Sequence, residues 1–102
     1  MAIYNKLVRD RIPESIEAQG ETPNLRILEQ EEYLHRLEAK LDEEVGEYHR
    51  DKNAEELADI LEVVFALAEA NGVTRQELMD VYQKKHDARG GFGKRIFLIS
   101  KD

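Results

Sequence analysis

Apolar residues recur at three- and four-residue steps between Glu29 and Arg50, at Tyr33, Leu34, Leu37, Leu41, Val45 and Tyr48. That period predicts a long amphipathic helix. The next run, Leu57 to Leu67, is apolar nearly all round apart from Asp59 and Glu62, the pattern of an interior helix that also suits a subunit interface. Asn53 can cap it with Glu56 at the third position, and Asn71-Gly72 ends it. Thr74-x-x-Glu77 is a capping box opening a further helix that carries Leu78, Val81 and Tyr82 toward the core and stops near Gly90-Gly91. Pro13 to Gln19 predicts a short helix stopping at Gly20, followed by a loop over Glu21 to Leu28. Residues 1–12 and Ile96 to Ile99 read as extended. The predicted class is all-α, a helical bundle with a long central antiparallel helix hairpin turning at Asp51 to Asn53, one domain over residues 1–102.

Cysteine is absent, which excludes disulfides, thiolate nucleophiles and zinc-thiolate sites and fits a reducing compartment. No apolar run approaches the ~20 residues of a spanning helix, and the start carries no signal-peptide core. The expectation is a cytoplasmic protein with no membrane partner. A net charge of −7 makes nucleic acid an unlikely partner. The acids crowd Glu29 to Glu62, whereas bases gather at both ends: Lys6, Arg9 and Arg11, then Lys84, Lys85, Arg89, Lys94 and Arg95. Such cations can meet a small phosphate without making the whole surface basic.

Two acidic motifs change the picture. Glu44-x-x-Glu47 and Glu56-x-x-Asp59 stand in mirror register about the turn, so that Glu44 faces Asp59 and Glu47 faces Glu56 across the hairpin. Four clustered carboxylates repel one another unless a cation bridges them or protons are taken up. Mg²⁺ prefers oxygen ligands and typically keeps positions for water and substrate phosphates. Each motif alone reads more readily as a solvated face, since Glu14/Glu17, Glu29/Glu32 and Glu77/Asp80 share the spacing. Asp59, set among Leu57, Ala58, Ile60 and Leu61, is the acid expected to be buried and in need of a partner. Gly46, inside a helix and between acids, reads either as a close approach or as a tolerated surface glycine. His35, His49 and His86 share no spacing that suggests a metal site or a triad.

Glu43-Glu44-Val45-Gly46-Glu47 and Glu55-Glu56-Leu57-Ala58-Asp59 resemble the Glu-x-x-Glu and Glu-x-x-Asp signature of the MazG-like all-α nucleotide pyrophosphohydrolase superfamily. Its members include MazG proteins, phosphoribosyl-ATP pyrophosphohydrolases and dimeric dUTPases. The connection Tyr48 to Glu55 is shorter than in many of them. Tyr4-Asn5-Lys6-Leu7-Val8-Arg9-Asp10-Arg11-Ile12-Pro13 and Arg89-Gly90-Gly91-Phe92 resemble a small house-cleaning branch. The resemblance implies Mg²⁺-dependent cleavage of nucleoside triphosphates to monophosphate and pyrophosphate by a homo-oligomer, a dimer or tetramer. It implies Glu44, Glu47, Glu56 and Asp59 as metal ligands, and Glu43 or a liganding glutamate such as Glu44 as proton acceptor. Lys6, Arg9, Arg11, Lys85 and Arg89 can clasp the triphosphate or be ordinary surface bases. Phe92 can stack on a base but fits a core anchor better. The alternative is a non-catalytic helical module that binds a nucleotide or a partner.

Overall fold

The computed structural model describes residues 2–102 and contains four helices, with no strand among the described residues: α1 (Ile12–Ala18), α2 (Gln30–Asp51), α3 (Ala54–Ala70) and α4 (Arg75–Arg89). The protein is all-α, as its apolar periodicity requires. Local chemistry sets the ends. Pro13 sits in the first turn of α1, where its missing N–H leaves no intrahelical bond unmade, and Gly20 takes φ +85° beyond its end. The Asn53 side chain accepts the Glu56 N–H at 3.0 Å to start α3. Thr74 both accepts the Glu77 N–H and donates to the Glu77 carboxylate, each at 3.1 Å, to start α4. Lys52 adopts the left-handed conformation at the end of α2 and sends its N–H to the Tyr48 carbonyl at 2.7 Å.

Between α2 and α3 lie only Lys52 and Asn53, so the chain reverses there. At the far end the Gln30 side chain donates to the Ala70 carbonyl at 2.8 Å. The apolar stripe of α2 faces this seam: Leu37 is buried, and Tyr33, Leu34, Leu41, Val45 and Tyr48 are partly covered. From α3 the buried residues are Val63 and Phe65, and α4 docks on α3 with the Arg75 guanidinium 3.8 Å from the centre of the Phe65 ring.

Several burial expectations are corrected. The interior helix foreseen for Leu57 to Leu67 has an open flank: among the described helices α2 and α4 pack on it, and Leu57 and Leu61 stay about half exposed (51% and 50%). Val81 and Tyr82 on α4 are exposed as well, leaving Leu78 as its partly covered apolar residue of the three. Phe92 does not anchor a core but is 98% exposed. Ile96 to Ile99 is exposed chain without a strand partner, since the helices offer no sheet edge. Of the 1–12 stretch, Met1 lies outside the described residues. The remainder has no regular structure until α1 begins at Ile12, one residue earlier than the proline suggests.

Candidate metal centre

Glu44 and Glu47 project from one face of α2, one turn apart, and Glu56 and Asp59 do the same from the first two turns of α3. Because the chain reverses directly between them, the two pairs meet. One carboxylate oxygen from each of the four residues lies within 4.8 Å of the others.

Glu44 lies deepest, 7% exposed and beneath the other three acids. Its Oε1 is 3.5 Å from Lys40 Nζ, an i,i+4 pair along α2, while its Oε2 is buried with no hydrogen-bond partner. Glu56 Oε2 is orphaned in the same way. Burial, then the contact with Glu47 and its charge, push the Glu44 carboxyl above the usual carboxylate range; Asp59 adds to this and Lys40 opposes it. Burial also raises Glu56, followed by the charges of Glu47, Asp51 and Asp59. Both shifts express one fact: these oxygens have been taken from water and given too little positive charge in return.

The residues fit a hard divalent cation. All four donors are carboxylate oxygens, two buried atoms lack any partner, and the separations suit oxygens around a cation bonded at ~2.0–2.6 Å. Two orphaned buried oxygens distinguish this cluster from an ordinary acidic surface.

Asp59 departs from expectation. Its side chain is 40% exposed, on the same side of α3 as the exposed Glu62, and the buried acid is Glu44 instead. Asp59 Oδ1 accepts a hydrogen bond from Arg9 Nη2 at 2.6 Å, and Arg9 Nη1 lies 3.7 Å from Glu62. Arg9 is thus the one expected phosphate-binding cation paired to this cluster. Lys6, Arg11, Lys85 and Arg89 are exposed and form no ion pair among the described residues. Glu43 is exposed beside the cluster, 3.8 Å from Lys40. A Cβ added at Gly46 would meet nothing within 4 Å, so of its two readings the open surface position holds in this chain. The three histidines are exposed, His49 beside Tyr48 and His86 stacked on Tyr82.

Sequence reasoning gave no site role to Lys40 or Glu62. The i,i+4 spacing of Lys40 and Glu44 was the signal available for the first, and the i,i+3 spacing of Asp59 and Glu62 for the second. A concavity of about 480 Å³ lined by Arg26, Ile27, Glu29, Glu31, Glu32 and His35 contains none of the expected residues. Another, about 360 Å³, is formed by Arg89 to Ile96 and also excludes the four acids.

No family model matches the chain, and no solved structure matches it. An uncharacterized protein of Mycolicibacterium smegmatis is 62% identical over 42 residues. The matched stretch is 41% of this chain and 43% of the relative, less than half of either. No helix among the described residues is long and apolar enough to cross a membrane.

Proposed function

We propose that this chain is a metal-dependent nucleotide pyrophosphohydrolase, cleaving nucleoside triphosphates, non-standard ones included, to monophosphate and pyrophosphate in the cytoplasm. The observation that carries the reading is the convergence of Glu44, Glu47, Glu56 and Asp59 with buried, unpartnered oxygens on Glu44 and Glu56. These four residues would hold the cation, with Mg²⁺ the natural choice for an all-oxygen donor set that must also admit phosphate. Bound there, it would neutralise phosphate oxygens and lower the pKa of water.

The chain's own residues have separable tasks. Glu44 and Glu56 supply the oxygens that gain most from a cation, since each is desolvated beside other acids. Lys40, one turn earlier on α2, pairs with the Glu44 carboxylate at 3.5 Å. Glu43, exposed at the rim, is placed to take a proton from water on one of its Oε atoms, with Glu44 the alternative acceptor. Arg9 is the cation nearest to hand for a triphosphate oxygen, and Lys6, Arg11, Lys85 and Arg89 are assigned to the outer phosphates.

Assembly from two or four copies belongs to the same proposal. The chain exposes 9302 Å², where a compact 11.8 kDa monomer would expose about 5,900 Å². The excess, about 3,400 Å² per chain, is more than the ~1,000–2,500 Å² a side that obligate interfaces bury, and the half-exposed Leu57 and Leu61 are part of the surface an assembly would cover.

The pairing of Arg9 with Asp59 favours a second reading, a nucleotide- or partner-binding module without hydrolysis, because part of the cluster's charge is already met. The deciding assay incubates the protein with standard and modified nucleoside triphosphates, with and without Mg²⁺, and measures monophosphate and pyrophosphate. Mg²⁺-dependent release of both is the expected result. Binding without release on any substrate would select the module.

A further inference from the structure

Arg9 reaches the acidic cluster from outside the α2–α3 pair, on the irregular arm of residues 2–11. Among the described residues, its contacts with Asp59 and Glu62 are the side-chain hydrogen bond and ion pair that tie this arm to α3. Little else secures the segment: Leu7 and Val8 are partly covered, and residues 2–6, 10 and 11 are exposed. Asp59 therefore belongs to two constellations at once, the four-oxygen cluster and, with Glu62, the arm's polar anchor on α3.

We propose that Arg9 is the built-in counter-cation of this cluster and that a divalent metal displaces it, so that metal binding unlatches the N-terminal arm. The inference rests on the metal-site reading above. Lys40 serves Glu43 and Glu44, which leaves Arg9 as the base facing the outer acids Asp59 and Glu62. A divalent cation drawing on the same Asp59 carboxylate stands within a few ångströms of the guanidinium, and like charges at that distance repel even where, as here, water partly screens them. Asp59 serves the stronger charge, and Arg9 gives up its hydrogen bond. Linkage makes the exchange reciprocal: whatever free energy the metal spends on expelling Arg9 is recovered as tighter metal binding when Arg9 is removed. The freed guanidinium, its hydrogen-bond donors unpaired, then suits a phosphate oxygen arriving at the metal. One residue thereby guards the empty site and serves the filled one.

The test needs no turnover. Limited trypsin cleavage after Lys6 and Arg11 is followed in the intact protein with and without Mg²⁺ or Mn²⁺, alongside calorimetric metal titrations of wild type, Arg9→Ala and Glu44→Gln. Metal should speed cleavage of the arm in wild type. In Arg9→Ala the arm should be cut fast from the outset and respond no further, while metal binds roughly five-fold more tightly or better. Glu44→Gln should lose both metal binding and the response of the arm. Metal binding that leaves the arm unchanged or more protected, or that is no tighter in Arg9→Ala, overturns the latch and leaves the metal site standing. No metal binding in either protein overturns both.

Discussion

The middle of the chain and its last third are built on different principles. Residues 30–70 hold every buried side chain of the described structure, Leu37, Val63, Phe65 and the acid Glu44, and are organised by contacts between α2 and α3. In α4, by contrast, no residue is buried. Beyond the docking of Arg75 and Leu78 on α3, its order comes from neighbours along the chain: the Thr74–Glu77 box, Gln76 to Asp80 and Gln83 to Asp87 at 2.9 Å each, and the Tyr82–His86 stack. The cap contributes about 1 kcal/mol and the i,i+4 contacts a few tenths of a kcal/mol apiece. Burying Leu37 and Phe65 is worth far more. Chemistry follows the same division, since carboxylates can be desolvated and left short of partners only where a packed seam holds them.

The sharpest way to break the comparison is Glu44→Gln. It keeps the shape of the side chain and removes its charge. Turnover should fall by roughly a thousandfold, the several kcal/mol that a metal site contributes, while the metal-free protein melts no lower, because an ionised, half-satisfied carboxylate has been replaced by a neutral amide. Steady-state assay beside thermal melts in chelator checks both. Parallel loss of activity and stability would mean that Glu44 is simply structural.

Next in size is Leu37→Ala. Leu37 is 3% exposed at the α2–α3 seam, and its truncation should cost about 3 kcal/mol in denaturant titrations. Val81→Ala on α4 should stay within about 0.5 kcal/mol, since it removes a side chain that is already half in water. If the two variants melted alike, the division between packed seam and locally ordered helix would fail, and α4 would have a partner covering it.

What could be read in advance follows the same line. The bounds of α2, α3 and α4 were legible because caps and periodicity are local: Asn53, Thr74 and Gly90 sit where the sequence puts them. The four-acid cluster was legible because a tight reversal turns sequence spacing into spatial register. The Arg9–Asp59 contact was not, because its partners are 50 residues apart and nothing in the spacing encodes a chain arm folding back. Nor could periodicity say that Glu44 rather than Asp59 is the buried acid. An apolar run announces a side chain's neighbours along the helix but not which flank another element covers, and the open face of Leu57 and Leu61 is where that reasoning stops.

The smallest effect, and the most specific to the seam, is its response to pH. The Glu44 and Glu56 carboxyls sit above their ordinary value of 4.5 in the folded chain, so the native state binds their protons more tightly than the unfolded state does. Above the raised folded values both groups are ionised and the seam carries its full repulsion. As pH falls through those values toward 4.5 the protons enter and the metal-free protein gains stability, the gain being complete once the unfolded groups are protonated too. Glu32 behaves oppositely: the Arg26 hydrogen bond holds its carboxyl below 4.5, so its contribution is present above 4.5 and is lost only at more acid pH, outside the window of the seam. A bound cation inverts the slope, because it requires the same oxygens deprotonated. Melting temperature in chelator should therefore rise as the pH falls from neutral toward 4.5, whereas in Mg²⁺ it should fall over that interval, and Glu44→Gln should flatten both curves. Identical slopes with and without Mg²⁺ would mean that proton and metal do not share a site, and the seam would then be an acidic surface like the others in this chain.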